Sequence, residues 1–301
     1  MGKLLSKWLV LCLCTVVLLS GSGAAEPNLS PLRIGFARNM FSDMNENDAK
    51  ASIKVWGQLV ARRSNCPHDL TTHIFRNYDE LLLSLKEKKV DAVGLLTTDF
   101  DRLHRKTPLA PIFLPYLAGK STERYILLVH RDSPIKSLAD LRRSSIQLLS
   151  NANASLAPMW LDVHLNQQGY PMASRFAGKI SPNTNLSKVV LSVFFRQYDA
   201  CVVTRSGFNT MSELNPQLSK QLIVLAESPE FVAGLFVFRA DYNPPFKEQL
   251  IASISNLQKT PPGRQILTIF HISELRIQPL ASLETSLNLI EKHRQIARRN
   301  K

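Results

Sequence analysis

Lys89-Val90-Asp91-Ala92-Val93-Gly94-Leu95-Leu96-Thr97-Thr98 and Tyr198-Asp199-Ala200-Cys201-Val202-Val203-Thr204-Arg205-Ser206 share one pattern. In each, an Asp-Ala pair opens an apolar run that ends in polar residues. Each run also follows a segment of helical spacing, Tyr78 to Lys88 (Leu81, Leu82, Leu85) in the first case and Leu186 to Phe195 in the second. A short strand that is almost wholly apolar is what a parallel sheet covered on both faces requires. Working outward from the first run, Leu32 to Phe36 reads as a strand, Ala51 to Arg63 as a helix (Ile53, Trp56, Leu59, Val60) and Leu70 to Phe75 as a second strand. The result is βαβαβ, the signature of a parallel sheet with crossover helices.

Around the second run the pattern restarts. Arg124 to His130 reads as a strand, Ser137 to Leu141 as a short capped helix, and Ile146 to Leu149 as a strand leading into the polar stretch Ser150–Ser155. A helix then runs to Gln168 with Gly169 as its stop. A short strand is expected at Phe176, and further strands at Asp199–Val203 and Leu222–Ala226. Another apolar strand, Phe231 to Phe238, precedes helices at Lys247–Gln258 and Gly263–Phe270, which suggests a return to the first lobe. The expectation is an α/β protein of two lobes, each a mostly parallel sheet flanked by helices, with crossings at Tyr125–Val129 and Phe231–Phe238.

The 301 residues are 45% hydrophobic and 20% charged, which excludes fibrous and wholly disordered classes. Met1 to Ala25 has a charged start (Lys3, Lys7), an apolar run from Leu9 to Leu19 and the small residues Gly21 to Ala25. It reads as a cleaved secretory signal, too short in its apolar part for the ~20 residues of a membrane span. Neither Cys12 nor Cys14 fits a lipoprotein pattern, and both leave with the leader. Cys66 and Cys201 are expected as unpaired, mostly buried thiols, and His68 and His73 lack the further ligands of a metal site. Loss of Lys3 and Lys7 lowers the net charge from +13 to +11. From Ser282 the chain reads as an amphipathic helix with a basic, frayed, solvated tip. Export, and the lack of aromatics among the basic residues, argue against nucleic acid.

In order and spacing, four places in the chain resemble the phosphate/phosphite/phosphonate-binding proteins of ABC importers, which are type II periplasmic substrate-binding proteins. They are Leu32-Arg33-Ile34-Gly35, the two Asp-Ala strands, Ser137-Leu138-Ala139-Asp140-Leu141 with the strand, loop and Ala157-Pro158-Met159 after it, and Val224 to Pro229. The resemblance covers roughly Leu32 to Ile272. It implies a leader at 1–25, a first lobe from 26–122 and 231–272, a second lobe from 123–230 with the hinge strands, and a basic C-terminal helix or tail at 273–301. It also implies a periplasmic monomer that needs no cofactor, performs no catalysis, and delivers a small anion to an ABC permease. The alternative is a sensory or orphan domain of the same fold, signalling to a membrane kinase or another partner.

Ligands of open α/β sheets sit beyond the carboxyl ends of the strands. That selects Asn39, Phe41, Thr97, Thr98, Phe100, Ser150, Asn151, Asn153, Ser155, Thr204 and Arg205 as candidate ligand contacts. The Ser150–Ser155 loop opens a helix, whose first N–H groups and positive dipole end suit an anion; plain N-capping is the competing reading. Asn151-Ala152-Asn153 stands where the resemblance implies Ser-Thr-Ser, and Ser181 near where it implies an anion-holding His. Arg205 replaces an acidic contact for a ligand amine, so the ligand is expected to be anionic and not an aminoalkylphosphonate. Arg205 either grips the anion or is a solvated surface residue, and Phe41 and Phe100 either pack on the ligand or belong to the core. There is no Ser-His-Asp order, no metal cluster and no G-x-S-x-G elbow to support an enzyme.

Overall fold

A computed structural model describes residues 32–42, 44–63 and 70–299. The expected leader, Cys66 and His68 lie outside the described residues. Among the described residues, eleven strands form two sheets. In chain order they are β1 (Arg33–Ala37), β2 (Thr71–Phe75), β3 (Ala92–Leu96), β4 (Leu109–Tyr116), β5 (Tyr125–His130), β6 (Ser145–Leu149), β7 (Lys179–Asn183), β8 (Ala200–Thr204), β9 (Leu222–Glu227), β10 (Gly234–Arg239) and β11 (Glu274–Gln278). The helices are α1 (Glu46–Arg63), α2 (Tyr78–Lys86), α3 (Thr97–Leu103), α4 (Ala157–Gln167), α5 (Ala173–Phe176), α6 (Leu186–Phe194), α7 (Arg205–Leu214), α8 (Pro216–Gln221), α9 (Lys247–Ser255), α10 (Pro261–Ile269) and α11 (Glu284–Arg299).

The first sheet has the order β11-β4-β10-β3-β1-β2, the second β7-β6-β8-β5-β9. Both are mixed. The βαβ strands pair in parallel (β2 with β1, β1 with β3; β7 with β6, β6 with β8), and β10 and β5 then run antiparallel beside β3 and β8. Each Asp-Ala strand therefore lies between a parallel neighbour and an antiparallel one. Asp91 accepts from the backbone N–H of Arg33 at 2.9 Å and from its guanidinium, and Asp199 accepts from the N–H of Ser145 at 2.7 Å and from its hydroxyl. Each carboxylate thus receives the first N–H of the neighbouring parallel strand. The sequence echo is a structural device at the amino ends of the strands, away from the cleft. Hydrogen bonding to Asp91, which is buried, holds the Arg33 guanidinium above its usual range.

Apolar residues cover both faces of the first sheet. Ile34, Phe36, Phe236 and Phe238 face α1, α9 and α10, while Val93, Leu95, Leu235 and Val237 face α2 and α3. The second lobe has its own core, in which Trp160 and Leu161 of α4 and Val189 and Val190 of α6 pack with the strands. Gly169 takes φ +80° past the end of α4, the left-handed turn that terminates a helix.

Several expectations need correcting. Phe176 lies in the single turn α5, and the strand begins at Lys179. β4 was not expected; it contains Pro111 and Pro115, and pairs with β10 and β11, with Pro115 opposite Leu275. The first sheet continues past 272, because β11 adds an edge strand on β4. The chain enters the second lobe between Tyr116 and Tyr125 and returns between Glu227 and Gly234, where Glu123 and Phe231 form an antiparallel bridge. The basic C-terminus is no frayed tip. α11 is helical to Arg299, packs on both α3 and α4, and sets Leu289, Ile290 and Ile296 in the core of the second lobe, while Leu283 in the turn before it enters that of the first.

Candidate functional site

The carboxyl ends of β1, β3, β6 and β8 face the cleft between the lobes, and a cavity of about 420 Å³ opens there. Its walls come mainly from the first lobe. Phe36 lies one residue before the end of β1, Phe41 follows on the turn Arg38–Phe41, Trp56 projects from α1, Phe236 from β10, and Phe270 caps α10. These rings hold one another. Phe36 meets Trp56 edge-on at 5.6 Å, Trp56 meets Phe236 at 5.2 Å, and Phe36 stacks on Phe270 at 6.1 Å. Gly94 of β3 completes this wall, because a Cβ there would lie 2.5 Å from the Phe36 ring. The mouth is closed by the turn Ala152–Ala154 of the second lobe, with Asn151, Ala152 and Asn153 lining the cavity.

The expected site residues divide into three groups. Phe41, Asn151 and Asn153 line the cavity. Asn151 also accepts from the Ala154 N–H at 3.1 Å as an N-cap, and the Asn153 carbonyl accepts from the Tyr125 hydroxyl at 3.1 Å. Asn39, Thr97, Thr98, Ser150 and Ser155 do not line it. Asn39 donates to Asp99 at 2.8 Å, and Thr98 lies in the first turn of α3. Thr97 is spent on the fold, its N–H donating to the Ala233 carbonyl at 2.9 Å and its hydroxyl to that of Val232 at 2.6 Å. The Ser155 hydroxyl donates to the Ala233 carbonyl at 3.4 Å, and the Ser150 N–H to that of Asn183 at 3.0 Å.

The rest stand apart. Phe100 is 1% exposed in the core behind β3 and stacks on His104, so it belongs to the core. Ser181 lies on the edge strand β7 and hydrogen-bonds the Tyr198 phenol, which is thereby held below its usual range. Thr204 is buried where β8 pairs with Tyr125. Arg205 is bidentate, but to a carboxylate of its own chain: Nε lies 3.3 Å from Glu227 Oε1 and Nη2 contacts Oε2. Glu227 also lies 3.5 Å from Arg124, and these cations, Arg205 first, hold its carboxyl below the usual range. The first turn of α7 is occupied as well, since Glu123 accepts from the Ser206 N–H and hydroxyl.

Sequence reasoning missed the aromatic wall. Ile53 and Trp56 were read as one core face, and nothing in the spacing shows which side of Trp56 is covered. Among the described residues, neither Lys nor Arg lines the cavity, and no cluster of His, Cys, Asp or Glu could hold a metal. His73 pairs with Glu80 instead. Cys201 is fully buried in β8, and burial pushes its thiol up, away from the thiolate a nucleophile needs. No helix among the described residues is long and apolar enough to cross a membrane.

Residues 40–278 match the family model of the ABC transporter phosphonate periplasmic substrate-binding proteins. The chain belongs to this family. No curated protein matches it. Among solved structures, a Xanthomonas citri protein bound to ATP is 16% identical and superposes with a TM-score of 0.67, over 89% of this chain and 98% of the other. The binding component of an ABC phosphonate transporter from Pseudomonas aeruginosa is 15% identical, with a TM-score of 0.62 over 90% of each chain. PhnD1 from Prochlorococcus marinus, in complex with methylphosphonate, is 16% identical, with a TM-score of 0.62 over 88% of this chain and 98% of PhnD1. At these identities the likeness is one of fold, the two-lobed α/β fold of type II periplasmic binding proteins. The family's role is solute binding for transport, without catalysis.

Proposed function

We propose that the protein is exported, loses residues 1–25, and closes its two lobes on a small anionic solute that it hands unchanged to an ABC permease. The first lobe is built from 26–122 and 231–278, the second from 123–230. The observation that carries the reading is a cavity walled by the first lobe and closed by the turn of the second. Two lobes joined by paired crossing segments open and shut by hinge motion, and a ligand touching both favours the shut form. Asn151 and Asn153, with the N–H groups of their turn, are the donors for the anion. The net charge of the exported chain draws anions toward the cleft.

A thermal-shift screen of phosphate, phosphite, methylphosphonate, sulfate and simple and longer-chain organic acids tests this. A true ligand at a hundredfold excess over its dissociation constant stabilises the folded chain by about 2.7 kcal/mol. Aminoalkylphosphonates are expected to give no shift, because the carboxylate that lines the cavity, Asp48, is exposed and already accepts from the Asn45 amide. If no anion shifts the transition, anion delivery is wrong and a sensory role remains.

A further inference from the structure

The cavity does not have the walls of a site for a bare inorganic anion. Five aromatic rings, with Met40, Leu96 and other apolar side chains, make most of its surface, and Asn45, Asp48 and His271 are the polar side chains that the first lobe adds. Phosphate or sulfate placed against the rings would lose hydration and regain little, since a buried ion needs paired charge or several hydrogen bonds. The second lobe contributes the amides of Asn151 and Asn153, while the first lobe contributes the rings and the greater part of the apolar surface. About 420 Å³ falls within the range of sites for organic small molecules, and methylphosphonate would leave most of it unfilled. The rings are also preorganised. Phe36, Phe41, Trp56 and Phe236 are each at most 5% exposed and braced by one another, so the space is not closed by rotating a single side chain inward.

We infer that the ligand is an amphiphilic organic anion: an acid head held at the Asn151–Asn153 turn, and an alkyl or aryl body buried among Phe36, Phe41, Trp56, Phe236 and Phe270. This rests on the solute-binding reading above and adds the class of solute. The apolar body supplies the affinity and the turn supplies the orientation. Closure of the second lobe then covers the head.

Titration calorimetry with inorganic phosphate, a series of n-alkylphosphonates from methyl to octyl, phenylphosphonate and the matching n-alkyl alcohols tests the inference. Each methylene that enters the cavity is expected to tighten binding about fourfold until the space is filled. The alcohols are expected to bind far more weakly than the acids. Met40→Glu, which sets a charge in the wall, and Ala152→Phe, which narrows the mouth, are each expected to abolish the dependence on chain length. Ala152 lies on a half-buried surface turn, so one variant remains informative if the other fails to fold. Equal affinity for phosphate, methylphosphonate and the longer acids would overturn the apolar body and leave solute binding intact. Alcohols as tight as the acids would overturn the acid head. Failure of every compound to bind would overturn the solute-binding reading together with this one.

Discussion

Arg205 stands at the carboxyl end of β8, where a cation would meet a ligand, yet its guanidinium closes on Glu227. Arg205→Ala is therefore expected to leave the affinity for the best-binding anion unchanged in calorimetry; a tenfold loss would return Arg205 to the site. Its cost is in stability and is small, about 0–1 kcal/mol for an ion pair whose side chains are 28% and 32% exposed. That cost has a definite pH dependence. Glu227 is held below its usual value in the folded chain, so its contribution is full above the unfolded carboxylate value of about 4.3 and fades as pH falls through the lower folded value. Urea midpoints of wild type and Arg205→Ala should differ at neutral pH and converge in acid, below the folded value. The position of Arg205 was legible in the sequence; its partner, Glu227, was not, because the pair joins the start of α7 to the end of β9, which only the fold brings together. Asp91 and Asp199 show the converse: the repeat was legible, and its role in receiving a neighbouring strand's first N–H was not.

At the scale of elements, the apolar strands β1, β3, β5 and β8 announced themselves, because a strand covered on both faces has almost no polar positions. Elements without that signal were hidden. α3 and α7 start directly at the strand ends, after Leu96 and Thr204, with no side-chain cap to mark them. β4 hides behind its prolines. For α11 the amphipathic spacing was legible but its destination was not. Arg294 contacts Asp101 of α3, and His293 lies 3.0 Å from Asp162 of α4, so residues that read as a solvated basic tip pair with acids from both lobes. Ser286 goes further, accepting at 2.8 Å from the buried N–H of Val232 in the returning crossing. Ser286→Ala leaves that donor without a partner, at an expected cost of about 1–3 kcal/mol. Calorimetry should show the melting temperature falling by several degrees; an unchanged value would mean that α11 merely rests on the crossing.

For the whole molecule, the site is the least legible feature, because its walls come from six separate parts of the chain: 36–56, 94–96, Pro115, 151–153, 233–236 and 267–275. No local window holds both the aromatic wall and the turn that closes it. The same interleaving bears on how the protein unfolds. Two lobes with separate cores could melt separately, since each buries its own apolar residues. α11 opposes this, contributing Leu289, Ile290 and Ile296 to one core, while its Leu287 and the preceding Leu283 pack with the other. Full burial of an aliphatic side chain is worth roughly 1.5–3 kcal/mol, so the share of α11 in the second lobe approaches the 5–15 kcal/mol that stabilises a typical domain. The intact chain is therefore expected to unfold in one calorimetric transition, with van't Hoff and calorimetric enthalpies equal. Ile290→Ala and Ile296→Ala, at about 2–5 kcal/mol each, should weaken the second lobe alone. Combined, they should split the transition in two, the lower one belonging to residues 123–230. A single transition that merely shifts downward would show the lobes to be coupled through the crossings alone, with α11 dispensable as the link.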